Sequence, residues 1–364
     1  MGTSKSSLYV LLVLVALASA FWTRFGFAGA HTGKAPVPLC RTSHANSKLP
    51  DASTGRGQLA CFPLDLLQAG RSMAENAVCM RQGEQYSHVY VIRSFGRADS
   101  FRQMTCGILE KLLPCLGCSF LALAADDPEL EKYRENAGPW KDRILIGVRG
   151  AERQVAFVDQ IMPKGTRVMM LDDNILKFMD RGKTLKSGLD DLVGLGFQRM
   201  KRAGASIWSV SDSPNPAHWS DEVDVGIGLV YGAAFGMVAS HEESRYSQFG
   251  QVLDDVERSC RFYEQDGVTV RLGRLQVYKR HAPGIFHADK GGISAGLSAE
   301  AFAAEAAQAR SALLQRFPQL PLGRQSALAR SSPLLQHNRL EVTTTKLGLR
   351  FRHGNRSRAS SFIL

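Results

Sequence analysis

Short apolar runs recur through the first half of the chain, each followed by a polar turn and then a stretch with helical spacing. Residues 89–92, 120–124, 144–148 and 168–171 predict four strands, and 101–113, 128–135 and 151–162 predict helices between them. Such alternation implies right-handed βαβ crossovers and a parallel sheet. The run Val168-Met169-Met170-Leu171 has no polar position on either face, the habit of a strand buried on both sides. It ends in Asp172-Asp173-Asn174.

The second half has a different rhythm. Residues 206–210 read as a strand leading into the proline-stiffened loop 212–216. Residues 224–238 alternate Gly with apolar positions and read as one or two strands of a mixed sheet. A helix opens at Asp254-Asp255 and runs through Phe262, residues 268–278 form a strand, and Ser298 caps an alanine-rich helix ending near residue 315. The expected class is α/β: a Rossmann-like, mixed, mostly parallel sheet flanked by helices, in a single domain over 85–320.

Charge changes the picture at the ends only. The net charge of +11 invites a nucleic-acid reading until it is located. Residues 1–50 and 342–364 each hold five basic residues and no acid, leaving 35 basic against 34 acidic residues between them. That argues against a folded polyanion-binding face on the body. Residues 1–20 combine Lys5, an apolar run and Ala18-Ser19-Ala20, the pattern of a signal peptide or short signal anchor. Residues 21–55 continue basic and Ser/Thr-rich, as in a transit segment or a stem, and 321–364 form a basic extension. The leader implies the secretory pathway, with a Golgi-lumenal domain, or a plastid reached through a bipartite leader. The seven cysteines lack framework spacing, and the lone Cys115-Leu116-Gly117-Cys118 has no second pair at zinc spacing.

Adjacent carboxylates at the end of a buried strand repel each other and lose hydration, so a nearby cation is a natural remedy. Carboxyl ends of strands are also where ligands bind in open α/β sheets. The plain alternative is a turn in which Asn174 caps a helix. A P-loop is excluded: Gly182-Lys183-Thr184 has Lys177 where the first glycine belongs, and it follows the acidic strand. Asp254-Asp255 is a second acidic pair, suited to general-base work or simply to a helix N-terminus.

Several pieces, in order, resemble the TET/base-J-associated glycosyltransferases, a GT-A type group using nucleotide sugars. They are residues 89–97 with Arg93 and Arg97, Asp126-Asp127-Pro128-Glu129 with Tyr133, residues 150–154 with Arg153, Leu171-Asp172-Asp173-Asn174, residues 254–257, and the segment 287–292 with its Gly-Gly. Leu171 departs from the first acid of the DxD triplet many GT-A enzymes carry. The resemblance implies Asp173 as ligand to Mn2+ or Mg2+, and Asp172 near the ribose or a metal-bound water. It also implies a UDP-sugar donor carrying a hexose, glucose foremost, with an acceptor hydroxyl. Arg93, Arg97 and Arg153 are candidates for the diphosphate or base. Asp126 or Asp127 is a candidate for uracil or ribose, and Asp254 or Asp255 for the base. His287, ahead of His281, is the candidate for a further metal position. Trp208, Trp219 and the 212–220 loop are candidates for an acceptor platform, with the core as the competing fate of Trp208. Acceptors consistent with the leader are glycan, protein or lipid; a modified nucleobase fits it poorly. The competing reading is a non-catalytic nucleotide-sugar-binding or interaction protein that keeps the fold.

Overall fold

The computed structural model describes residues 62–79, 88–211, 223–226, 228–280, 291–292, 295 and 297–318. The leader, the 21–55 segment, the 321–364 extension, His281, His287 and Trp219 lie outside the described residues.

Among the described residues the sheet has ten strands: β1 (His88–Ser94), β2 (Ser119–Ala124), β3 (Ile144–Gly147), β4 (Arg167–Asp172), β5 (Ile175–Asp180), β6 (Lys183–Thr184), β7 (Ile207–Ser211), β8 (Val223–Gly226), β9 (Ala234–Val238) and β10 (Thr269–Lys279). Their order is β3-β2-β1-β4-β9-β7-β10-β5-β6, with β8 paired to β10. The block β3-β2-β1-β4 is parallel throughout. Beyond it the sheet is mixed: β9 runs antiparallel to both β4 and β7, and β10 runs parallel to β7. Hence β1, β2, β3, β4, β7 and β10 all end on one edge. The chain order reverses between β1 and β4, the kind of switch point at which α/β sheets open a crevice.

Period-two alternation sorts the strand residues between two cores. Tyr90, Ile92, Met169 and Leu171 face one layer with Phe197 and Trp208. Val89, Val91, Val168 and Met170 face the other with Phe157 and Phe235. Both faces of β1 and β4 are therefore covered, which is why their runs read as continuously apolar. Each fully buried large side chain there contributes about 2 kcal/mol of burial free energy.

Helices α1 (Leu64–Cys79) and α4 (Ala151–Ile161) cover the second layer, while α2 (Thr105–Leu112), α3 (Leu130–Asn136) and α5 (Leu189–Ala203) cover the first. Helices α6 (Asp254–Asp266) and α7 (Ala299–Arg316) pack on each other through Val256, Cys260, Ala309 and Leu313. Helix α1 lies ahead of residue 85, yet Ala74 and Ala77 belong to the second layer. The expected helix over 101–113 divides into a 3-10 turn at Phe101–Gln103 and α2. Ser298 caps α7 by accepting from the Ala301 amide at 3.1 Å. Asn174 caps no helix: it precedes β5 and is buried.

Candidate functional site

The site grows from the shared strand edge. Parallel register sets Arg93, near the end of β1, beside Asp172 at the end of β4. Arg93 Nη2 donates to Asp172 Oδ1 at 2.8 Å and to the Gly232 carbonyl at 2.6 Å. Its Nη1 lies 4.0 Å from Asp254 Oδ2. One member of each acidic pair, Asp172 and Asp254, therefore meets the same guanidinium, although they are far apart in sequence.

Each acid in the first pair is held on both oxygens. Asp172 Oδ2 accepts from Lys279 Nζ at 2.6 Å. Asp173 is only 1% exposed; its Oδ1 accepts from Arg97 Nη1 and its Oδ2 from Ser94 Oγ. Since Ser94 gives its proton to Asp173, the Tyr133 hydroxyl donates to Ser94 Oγ at 2.6 Å and accepts from the Arg97 amide at 2.8 Å. Thr105 Oγ1 fixes the turn itself, donating to the Asp172 carbonyl at 2.6 Å and accepting from the Ile175 amide at 2.9 Å. Burial alone would push the Asp172 carboxyl up; Lys279 and Arg93 outweigh it and hold the group at about 2.

Lys279 reaches Asp172 through a local irregularity. The β10–β5 register shifts between Tyr278 and Lys279, and the Arg280 amide then bonds the Asn174 carbonyl at 3.0 Å. Such bulges re-aim a side chain at a sheet edge.

The second acidic pair opens α6. Asp254 accepts from Arg258 Nη1 at 2.7 Å, one turn along the helix. Arg258 is buried, with its guanidinium 4.2 Å from the Phe235 ring centroid. Asp255 is more open. Its Oδ1 accepts from the Val256 amide at 2.9 Å, and a Cβ added at Gly232 would meet its Cβ at 3.4 Å. Burial, then the neighbouring Asp254, raises the Asp255 carboxyl above the ordinary carboxylate range.

Arg97 sits on a loop that Gly291 and Gly292 hold. The Gly292 amide donates to the Phe95 carbonyl at 2.9 Å, and Arg97 Nη2 donates to the Gly291 carbonyl at 3.3 Å. Gly291 has φ +67, and a Cβ there would collide with the Phe95 and Gly96 carbonyls. The Gly-Gly segment thus lies against the Arg97 loop.

Other sequence-derived candidates fall outside this cluster. Asp127 is buried and accepts from the Gly96 amide at 2.8 Å and the Glu129 amide at 2.9 Å. It ties the start of α3 to the β1 loop. Asp126 is exposed and pairs with Arg149 at 3.3 Å. Arg153 is exposed on the first turn of α4. Its neighbour Glu152 feels Asp254 and Glu305 instead; burial first, then those two acids, raise it to about 7. Trp208 is fully buried in the core, which excludes it from an acceptor platform. Lys279, Arg258 and Ser94 have no assigned role from sequence reasoning; only Arg258, four residues after Asp254 on a helix, had a legible signal.

A divalent ion takes about six oxygen ligands in close geometry, most of them unprotonated and free. At Asp172 and Asp173 every carboxylate oxygen already has a partner, and three of those partners are fixed cations. No group of three or more His, Cys, Asp or Glu side chains suited to a metal occurs among the described residues. Among the described residues this donor set, engaged by three cations, does not fit Mn2+ or Mg2+; His287, the further expected ligand, lies outside them.

No family model matches this chain, and no curated protein matches it. Among solved structures it is similar to glucosyl-3-phosphoglycerate synthase from Mycobacterium tuberculosis in complex with Mn2+ and uridine-diphosphate-glucose. The identity is 9% over 83% of this chain and 92% of that chain, with a TM-score of 0.37. Cofactor-bound Rv0187 from MTB matches at 13% identity over 48% of this chain and 80% of that chain, with a TM-score of 0.19. Neither likeness is close enough to bear on the chemistry of the site.

Proposed function

We propose that this chain is a GT-A type nucleotide-sugar glycosyltransferase that moves a hexose, glucose foremost, from a UDP-sugar to an acceptor hydroxyl. The reading is supported chiefly by one observation: Arg93 touches Asp172 at 2.8 Å and stands 4.0 Å from Asp254, so cations and carboxylates of both acidic pairs gather at one strand edge. The order of the motif pieces agrees with it.

The chemistry divides between the two pairs. In transfer, the bond between the anomeric carbon and the diphosphate oxygen breaks, and its electron pair leaves with the diphosphate. The acceptor oxygen bonds to the anomeric carbon and releases its proton to a base. Asp255 suits that role, because a carboxylate raised toward neutrality is a stronger base than an ordinary one. Asp254, clamped by Arg258 and near Arg93, stays in place and orients the helix start. In this reading Arg97 and Lys279 stabilise the departing charge. Glycan, protein and lipid acceptors agree with the leader composition.

A thermal-shift screen of the full chain against UDP-, GDP- and CMP-sugars tests the reading. UDP-glucose raises the melting temperature more than the GDP- and CMP-sugars do. A screen in which no sugar nucleotide moves the midpoint contradicts a donor site.

A further inference from the structure

We infer that the donor diphosphate is neutralised by protein cations, with Lys279 and Arg97 making the contacts, and that donor binding needs no divalent ion. This rests on the nucleotide-sugar reading above and deepens it.

The first support is the state of the acids. Of the four carboxylate oxygens at Asp172 and Asp173, one accepts from Lys279, one from Arg93, one from Arg97 and one from Ser94. A metal seated there would share those oxygens with three positive groups and sit beside their charges. All three have side chains no more than 15% exposed, so their charges have little water to retreat into.

The second support is depth. Arg93 and Asp173 form the floor, with side chains 7% and 1% exposed. Arg97 and Lys279 lie nearer the surface, at 14% and 15%. Asp172, at 25%, lies nearest the opening. A diphosphate passing the Asp172 rim therefore reaches Lys279 and Arg97 before Arg93, with Asp172 and Asp173 keeping those two cations aimed. Asp172 and Asp173 act as positioning residues: they hold the cations extended at the crevice. The bulge at Tyr278–Lys279 supplies the geometry that brings Lys279 there. Phosphate and ammonium or guanidinium form strong charge-assisted hydrogen bonds without a metal bridge.

Calorimetric titration of the full chain with UDP, in EDTA and again with excess MnCl2, tests this. Uridine is run alongside, and Lys279→Met and Lys279→Arg are compared with wild type. UDP binds wild type with the same affinity in both buffers. Lys279→Met weakens UDP about tenfold or more, Lys279→Arg recovers most of that loss, and uridine affinity moves in neither variant. UDP binding that appears only with manganese overturns the inference while leaving the nucleotide-sugar reading intact. Equal weakening of UDP and uridine by Lys279→Met overturns the role of Lys279. Failure of both UDP and uridine to bind in either buffer overturns the nucleotide-sugar reading together with the inference.

Discussion

Arg93 donates to Asp172 at 2.8 Å, a bond that joins residues 79 apart in sequence at the point where the sheet order reverses. The same guanidinium lies between the carboxylate ending β4 and the one opening α6. Its Nε has no hydrogen-bond partner among the described residues. A buried charge so placed is held by its ionic neighbours and leaves them exposed to each other when removed.

Arg93→Met therefore destabilises the fold by about 3 kcal/mol, the order expected when one partner of a buried ion pair is taken away. Urea denaturation of the variant against wild type measures it. A loss well under about 1 kcal/mol would mean that the pair behaves as a surface contact.

The Asp172 carboxyl sits at about 2, below its reference of 3.8. Folding thus favours its ionised form. The stabilisation is complete above the unfolded value and is lost as pH falls through the folded one. Asp172→Asn costs about 2 kcal/mol near neutral pH, and its gap from wild type narrows between about pH 4 and about pH 2. Denaturation curves across that window check it; a gap that widens on acidification contradicts the assignment.

Trp208 fixes the limits of packing behind the site. A Cβ at Gly196 or at Gly236 would run into its indole ring, and at Gly236 also into Phe197. Gly196→Ala and Gly236→Ala each destabilise by about 2 kcal/mol through overpacking. Gly204→Ala gives no such collision, because nothing lies within 4 Å, although its φ of +72 adds backbone strain of its own. Calorimetric melting of the variants reads the effect, and an unchanged midpoint in both Trp208-facing variants would show that the ring has room to move.

The sequence made the parallel block legible because β1, β2 and β4 are buried on both faces and read as unbroken apolar runs. Helix α5 was less so: Gly194 and Gly196 interrupt its pattern, and Gly196 is there to admit Trp208. Strand β5 was also obscure, since exposed Leu176 breaks its alternation. At the site, the paired acids stood out by adjacency. Their partners did not, because Lys279 depends on a bulge and Arg97 on a loop held by Gly291 and Gly292, both settled by tertiary contacts. On the first turn of α4 Arg153 is exposed, while its neighbour Glu152 feels Asp254 and Glu305, a difference that sequence charge does not reveal.

The pH dependence of turnover follows from Asp255. A base must be deprotonated to act, and this carboxyl is raised by burial and by Asp254. Activity therefore falls on acidification with a midpoint above the ordinary carboxylate value of about 4. A pH–rate profile flat down to that value contradicts the assignment.

The most direct test is the rate of UDP release from UDP-glucose by Asp255→Asn, measured beside its affinity for UDP. With Asp255 as base and the donor held elsewhere, the rate drops by about a hundredfold or more, while UDP affinity stays within about threefold of wild type. Release at the wild-type rate, or a loss of rate fully accounted for by lost UDP affinity, would contradict it.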